Sequence, residues 1–303
     1  MLDLITLLIG FILVALVSGN NLSVCFGGAI ASRMLSKRTG TVLAIAGYVA
    51  GLLLQGSALG AAAHTLFPQG SVYEIDAVLL VVTAMFILSQ AKRIPQSLSI
   101  TLTMALWGWG MAAGTINWIF MSYTVAFWIA APALSLLFAV FLMKLFSRVK
   151  SRKVWSYTRK MRIALVAASF FVAFTLGANT LGLVMSLLPS SQYLLIVIIA
   201  AIVAGCVFLS SGPLRFLGNE IMPMRYTNAA IPQFVSAIFV EIATLLHIPL
   251  SNAQAFVSSI YGAGLSYKVR IILRKPLMKM INTWILTGLV SMGAGFIIAL
   301  ALH

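Results

Sequence analysis

Polar residues that could bind an ion stand inside apolar runs of this chain. The stretch SGNNLSVCFGG, which begins at Ser18, places Asn20, Asn21 and Ser23 in a run long enough to cross lipid. Asparagine and glycine lower helix stability, and lipid offers no water to an opened backbone. A helix break therefore persists only inside protein or along a cavity, where the exposed N–H groups of its second half attract anions. The stretch predicts an unwound point that binds an anion.

A fainter copy of this stretch lies in the second half of the chain. LGANTLGLVMS at 176–186 places Asn179 opposite Asn20, and Thr180 is the next residue. Asn179 is therefore predicted to mark a second unwound point, and Thr180 to line the same site.

A second pair of polar stretches occurs further along each half. SLSITLTMALWGWG at 97–110 is matched with PLSNAQAFVSSIYG at 249–262, which sets Ser99 opposite Ser251. WIAAPAL at 128–134 then matches WILTGLV at 284–290. Because three matches occur in the same order, we expect two related halves. The second pair predicts two helix starts that complete the anion site, at Ser99, Thr101, Ser251 and Asn252.

Composition makes the chain an all-α polytopic membrane protein. It has 303 residues, of which 61% are hydrophobic and 8% charged, against about 25% charged in soluble domains. The net charge of +15 is split among short loops, so it predicts cytoplasmic loops rather than a nucleic-acid surface. No sequence pattern indicates a catalytic site or a resident cofactor.

The basic groups also predict a topology. Five groups of Lys and Arg, all placed in the cytoplasm, give ten crossings of the cell membrane with both termini external. The most basic stretch separates five crossings from five, so the halves face opposite ways, as in many secondary transporters. We expect an N-terminal repeat at 1–147, a cytoplasmic linker at 148–162 and an inverted repeat at 163–303, with some broken or re-entrant helices.

Glu241 is the one acidic residue inside an apolar segment, FVSAIFVEIATLL. Ionisable groups within membrane segments mark ion pathways by default, so Glu241 is the predicted coupling residue. The alternative is that it lies at the outer surface or pairs with a helix end.

In these stretches and in their order, the chain resembles the inorganic phosphate transporter (PiT) family of phosphate and sulfate permeases. That family has two inverted halves, each with a Gly-Ala-Asn-Asp-x-Ala-Asn type signature and a later Pro-x-Ser-Thr-Thr-His type signature. Here Asn21 and Thr180 replace the signature Asp, and Tyr48 stands where the family carries a carboxylate.

The resemblance implies a secondary transporter for an inorganic oxyanion that works by alternating access. Phosphate is the first expected substrate and sulfate the second. The coupling ion would be sodium or a proton, and a homodimer is one expected assembly. The lost carboxylates favour proton coupling or simple facilitated passage over sodium coupling. A channel-like or non-transporting protein with a degenerate site is the remaining alternative.

Overall fold

Every element in the described part of the chain is helical. The computed structural model describes residues 2–68, 71–92, 95–147, 154–189, 193–216, 226–266 and 274–302. The α-helices are α1 (Leu2–Ala31), α2 (Lys37–Gln55), α3 (Gly60–Leu66), α4 (Val72–Ala91), α5 (Leu98–Ala112), α6 (Trp118–Ser147), α7 (Val154–Thr175), α8 (Gly182–Leu187), α9 (Leu194–Ala204), α10 (Ser211–Phe216), α11 (Tyr226–Leu245), α12 (Asn252–Ser266) and α13 (Arg274–Leu302).

Three of the predicted crossings contain an irregular turn. A 3₁₀ turn at Gly56–Leu59 joins α2 to α3. A π-helical turn at Leu176–Leu181 joins α7 to α8, and a second one at Gly205–Leu209 follows α9. Of the predicted linker at 148–162, residues 148–153 lie outside the described residues. The remaining part, from Val154, forms the first turns of α7.

Six helical segments are long and apolar enough to cross a membrane, which makes the chain a multi-pass membrane protein. In contrast, α5 and α12 have 15 residues each. At 1.5 Å per residue each is about 22 Å long, short of a hydrocarbon core of about 30 Å. Each is therefore shorter than a full crossing of the membrane.

The order of elements in residues 2–147 recurs in residues 154–302, and the packing crosses between the two stretches. α5 packs on α13, whereas α12 packs on α6. In the same way α2 packs on α7, and α1 packs on α9. Each short helix thus takes its main support from the long helix that ends the other half.

The first helix lies in the centre of the bundle. α1 is apolar apart from a few polar side chains such as Asn20 and Asn21, and its residues 13–29 are all buried. It contacts α2, α4, α7 and α9. Glycines permit the closest crossings, since a Cβ at Gly51 would collide with the carbonyl oxygen of Phe174 and one at Gly205 with that of Ala15.

Lysines mark one end of the bundle, which we call the basic end. Lys37 begins α2, Lys92 follows α4, and Lys144 lies in the last turn of α6. At the opposite end the hydroxyl of Thr6, near the start of α1, donates to the carboxylate of Asp76 at 2.8 Å.

Candidate anion site

The starts of the two short helices meet inside the protein. Ser97 caps α5 by accepting a hydrogen bond from the N–H of Ile100, and Ser251 caps α12 by accepting one from the N–H of Gln254, both at 3.3 Å. The hydroxyl of Ser99 then donates to the carbonyl of Leu250 at 3.0 Å, which joins the first turn of α5 to the loop before α12. Both loops, 95–97 and 248–251, are buried.

Each start carries N–H groups that precede the first hydrogen bond of its helix. That first bond runs from Thr101 N–H to Ser97 C=O in α5 and from Ala255 N–H to Ser251 C=O in α12. The N–H groups ahead of it lack an intrahelical acceptor, and they concentrate the positive end of the helix dipole. Two such ends in one buried region form an environment suited to an anion. The predicted helix starts are therefore confirmed, with Leu98 and Asn252 as first residues.

Asn20 holds the loop that precedes α5. Its side-chain oxygen accepts a hydrogen bond from the backbone N–H of Gln96 at 2.7 Å. Its amide nitrogen donates to the side-chain oxygen of Gln90, in α4, at 3.4 Å. The side chain is fully buried. Asn20 therefore positions the start of α5 from the centre of α1.

Asn179 holds the loop that precedes α12 in the same manner. Its side-chain oxygen accepts from the backbone N–H of Leu250 at 3.1 Å. Its amide nitrogen donates to the hydroxyl of Thr244 and to the carbonyl of Ile248, both at 3.0 Å. The two asparagines thus make the same loop contact in the two halves, as their predicted alignment requires.

The expected break at Asn20 and Asn21 is wrong, because α1 continues through both residues to Ala31. The polar groups are satisfied within the helix. The amide of Asn21 donates to the carbonyl of Val17, and the hydroxyl of Ser23 to the carbonyl of Asn20, both at 3.0 Å. A helix with its polar side chains bonded in this way needs no cavity, so Asn21 and Ser23 contribute local bonds within α1.

The expected break at Asn179 is correct only in part. Asn179 and Thr180 lie in the π-helical turn at Leu176–Leu181, which widens the helix without interrupting it. Single π-helical turns occur mostly inside α-helices and often at functional sites. Both side chains are buried, with Thr180 4% exposed.

Asn252 and Thr101 lie beside the helix starts and bond to neighbouring helices and loops. The Asn252 amide donates to the hydroxyl of Thr175 at 3.2 Å, and its side-chain oxygen is buried without a partner. The Thr101 hydroxyl donates to the carbonyl of Ser97 at 2.8 Å and accepts from the Gln96 amide at 2.8 Å.

Gln96 is the principal site residue that the sequence analysis missed. Besides Thr101, its amide nitrogen donates to the hydroxyl of Thr287 in α13 at 2.6 Å. Its side-chain oxygen is fully buried and has no partner. The signal in the sequence was its position directly after Pro95, which matches Leu250 after Pro249.

Crossed tryptophan bonds set the alignment of the halves. Trp128 donates to the carbonyl of Pro249 at 2.8 Å, and Trp284 to that of Pro95 at 3.0 Å. This confirms the match of Trp128 with Trp284. It also corrects the second match by two residues, because Pro95 and Ser97, the cap of α5, now stand opposite Pro249 and Ser251.

A pair of close glycine crossings agrees with this correction. A Cβ at Gly108 would collide with the carbonyl oxygen of Met292, and one at Gly262 with that of Leu136. Gly108, rather than Gly110, is thus the counterpart of Gly262. The two-residue error arose because serines two positions apart, Ser97 and Ser99, both fit the pattern.

Glu241 lies in α11 near the end that faces away from the basic end. The Gln55 amide donates to one of its carboxylate oxygens at 2.8 Å, and the other oxygen is buried without a partner. The residue is half-buried at the contact between α2 and α11. The structure therefore sets Glu241 against Gln55 and not among the helix starts.

The site contains polar groups without a cluster of acids. Among the described residues, no group of three or more His, Cys, Asp or Glu side chains could hold a metal ion. Tyr48 is fully buried, and its hydroxyl lies 3.3 Å from the sulfur of Cys25. The groups near the helix starts are amides, hydroxyls and backbone N–H groups, and they include the unpartnered side-chain oxygens of Gln96 and Asn252.

The described part of the chain has the architecture of an all-helical, multi-pass membrane protein. The chain superposes on a solved structure described as "The sodium-dependent phosphate transporter" with a TM-score of 0.87, covering 99% of this chain and 98% of that one. The two sequences are 16% identical, so this match establishes the fold.

The chain belongs to the Phosphate transporter family, whose model matches residues 17–295. It is 25% identical over 299 residues to a protein named as a phosphate permease in Methanocaldococcus jannaschii, covering 96% of this chain and 95% of that one. It is also 24% identical over 148 residues to the sulfate permease CysP of Bacillus subtilis, covering 46% of this chain and 41% of CysP. The resemblance found in the sequence is therefore confirmed.

Proposed function

We propose that this protein is a secondary transporter that moves an inorganic oxyanion across the cell membrane, with phosphate as its first substrate. The observation that carries the proposal is the meeting of two helix starts in a buried region. The hydrogen bond from Ser99 to Leu250 joins them, and Asn20 and Asn179 hold them from two central helices. The family and the phosphate permease relative support the choice of substrate.

The anion would bind where α5 and α12 begin. The N–H groups of the two first turns would donate to its oxygens, aided by the hydroxyl of Ser251. Ser99 and Asn252 would hold the two starts in place, since the hydroxyl of Ser99 donates to Leu250 and the amide of Asn252 donates to Thr175. Thr101, Thr180, Asn20 and Asn179 would support this shell. Hydroxyl, amide and backbone donors suit a doubly charged anion, and among the described residues no carboxylate is hydrogen-bonded to these donors.

Movement between the two sides of the membrane would come from inverted repeats. Residues 1–147 and 163–303 would form the two repeats, facing opposite ways. The recurring order of elements and the crossed tryptophan bonds support this division. Alternating access would follow from rocking of one packed group of helices against the other around the site.

Coupling would use protons or sodium. Glu241 is the candidate proton carrier, since one of its oxygens is buried and unpartnered beside Gln55. The solved relative's description as sodium-dependent supports the alternative ion. With Asn21, Thr180 and Tyr48 in place of family carboxylates, we favour protons.

Sulfate is the second candidate substrate. The match to the sulfate permease CysP supports it, and the donors around the helix starts suit any tetrahedral dianion.

In the membrane, both termini would be external and the basic end cytoplasmic, as the distribution of Lys and Arg predicts. A homodimer is the proposed assembly.

Uptake of radiolabelled phosphate and sulfate into proteoliposomes tests the proposal. Separate sodium and proton gradients identify the coupling ion. Ser99→Ala removes the bond to Leu250, whereas Ser291→Ala is a matched control, because Ser291 is fully buried in α13 and its hydroxyl has no partner.

We expect gradient-driven uptake of phosphate that Ser99→Ala reduces and Ser291→Ala leaves at the wild-type rate. Uptake of sulfate alone would support the second candidate. Uptake of neither anion under any gradient, in protein that elutes as a single folded species, would reject the oxyanion assignment. Equal loss in both variants would reject the role of the helix starts.

A further inference from the structure

A cavity of 380 Å³ lies between two packed pairs of helices. The pair α5 and α13 forms one wall, and the pair α6 and α12 forms the other. Each pair combines a helix from residues 2–147 with one from residues 154–302, so we call this space the seam cavity. Small-molecule sites have volumes of about 300–1,000 Å³, and the seam cavity is within that range. All four helices contribute to its lining, through Ile100, Trp128, Gln254 and Trp284 among others.

Equivalent residues of the two stretches line the seam cavity together. Trp128 and Trp284, which make the crossed bonds, are both in its lining. Pro132 and Gly288 stand four residues after them and line it as well. These two residues lie near the middle of α6 and α13, which are long enough to cross a membrane. The seam cavity therefore lies at the depth of the hydrocarbon core, below the level of the charged headgroups.

The seam cavity opens toward the lipid along α13. Ile285 and Leu289 line it and are 57% and 51% exposed. A molecule dissolved in the bilayer core therefore enters it from the side. Among the described residues, no charged side chain lines the cavity, and an unpaired charge at this depth is costly. The lining thus favours a neutral occupant.

The two walls of the seam cavity differ in polarity. The wall of α5 and α13 has only apolar and aromatic side chains, among them Ile100 and Met104. In the corrected alignment the counterparts of these two residues are Gln254 and Ser258, which line the wall of α6 and α12. An occupant with an apolar body and one polar end therefore fits in a single orientation, with its polar end toward α12.

The polar wall carries acceptors that need a donor. The side-chain oxygen of Gln254 is buried and has no hydrogen-bond partner in the described part of the chain. Pro132 has no N–H, so the carbonyl of Trp128, four residues earlier in α6, lacks its usual helical donor. Acceptors without a donor are costly inside a membrane, where no bulk water reaches them. A hydroxyl group on the occupant removes this cost.

We propose that the seam cavity binds a neutral, lipid-soluble phenol. The phenolic hydroxyl donates to the side-chain oxygen of Gln254, and the aromatic body packs between Trp128 and Trp284, since aromatic rings pack favourably against each other. Both tryptophans also hold the loops before α5 and α12, so the occupant stabilises the two packed pairs of helices. The ligand is uncharged, which distinguishes it from the anion of the proposed transport function.

Isothermal titration calorimetry of the purified full chain in lipid nanodiscs tests the site. Naphthol carries the hydroxyl donor, and its methyl ether has the same ring system without that donor. Each probe is titrated onto wild type and three variants, and empty nanodiscs correct for partition into lipid. The variants are Gln254→Leu, Gly288→Leu and Gly293→Leu.

The two glycine variants form a matched pair within α13. A Cβ at Gly288 approaches the side chain of Ile100 at 3.0 Å, so a leucine there fills the seam cavity. A Cβ at Gly293 meets nothing within 4 Å, so a leucine there is the control. Thermal unfolding with each probe provides a second readout.

Wild type and Gly293→Leu should bind naphthol about tenfold more tightly than its methyl ether, because only naphthol donates to Gln254. Gln254→Leu should bind the two probes equally, and Gly288→Leu should bind neither. Naphthol should raise the unfolding temperature of wild type and of Gly293→Leu but not that of Gly288→Leu.

Four outcomes would overturn the proposal. Equal affinity of wild type for the two probes would show that Gln254 needs no donor from the occupant. Binding retained in Gly288→Leu would place the probe outside the seam cavity. Equal loss in Gly288→Leu and Gly293→Leu would assign the effect to α13 as a whole. A tenfold preference for naphthol retained in Gln254→Leu would reject the orientation, even if Gly288→Leu does not fold. None of these readouts depends on transport, so failure here leaves the proposed transport function intact.

Discussion

Replacement of Asn179 by alanine should uncouple the start of α12 from the central helices. The substitution removes three hydrogen bonds, to Thr244, Ile248 and the N–H of Leu250. Side-chain bonds in membrane proteins contribute about 0.6 kcal/mol each on average, which gives about 2 kcal/mol in total. The Ile248 carbonyl and the Leu250 N–H also lose partners in a buried loop, at about 1 kcal/mol or more each. The free energy of unfolding is therefore expected to fall by about 2–4 kcal/mol.

Reversible unfolding in mixed detergent micelles, followed by tryptophan fluorescence, measures this loss. Asn117→Ala is the control, because Asn117 is exposed and its oxygen accepts one bond, from the N–H of Phe120 at the start of α6. Loss of such a cap costs about 1 kcal/mol. Since the loop at 248–251 carries the helix start, phosphate uptake by Asn179→Ala should also fall at least tenfold. Wild-type uptake with an unfolding free energy within 0.5 kcal/mol of the Asn117→Ala value would refute the reasoning.

Three further changes probe the packing, the coupling and the orientation of the chain. Gly51→Ala forces α2 away from α7 and should lower the free energy of unfolding by about 1–3 kcal/mol. Gly293→Ala is the control, because its Cβ meets open space and should leave the stability unchanged. Thermal unfolding compares the two variants. Glu241→Gln should abolish proton-driven accumulation yet retain anion exchange, which counterflow assays separate; retained accumulation would contradict the coupling role. An impermeant thiol reagent added outside should label Asn117→Cys and spare Ser156→Cys, since the native cysteines are buried; the reverse pattern would invert the topology.

The membrane class and the helix starts could be predicted from the sequence because both depend on local patterns. Long apolar runs require helices, and a serine before an apolar stretch indicates a helix cap. The alignment of Asn20 with Asn179 was also recoverable, since each asparagine stands among glycines in the same order. These features need no knowledge of which helices touch.

The conformation at Asn20 could not be predicted from helix propensity. Propensity scales describe peptides in water, where an opened backbone finds solvent. Inside α1, Asn21 and Ser23 bond to the carbonyls of their own helix, so continuing the helix is the better arrangement. Gln96 was missed for a related reason, because its role depends on Thr287, a residue far along the chain.

The crossed packing of the short helices has a consequence for the synthesis of the protein. α5 leaves the ribosome early, but the helix that supports it, α13, is the last to be made. At 5–20 residues per second, α5 waits on the order of 10 s for that partner. During this time α5, which is too short to span the bilayer, lacks the packing of α13 against it, and its polar first turn is not yet buried as in the folded protein. The nascent chain therefore depends on the insertion machinery to shelter α5, and a release of the N-terminal half alone would leave it unsupported.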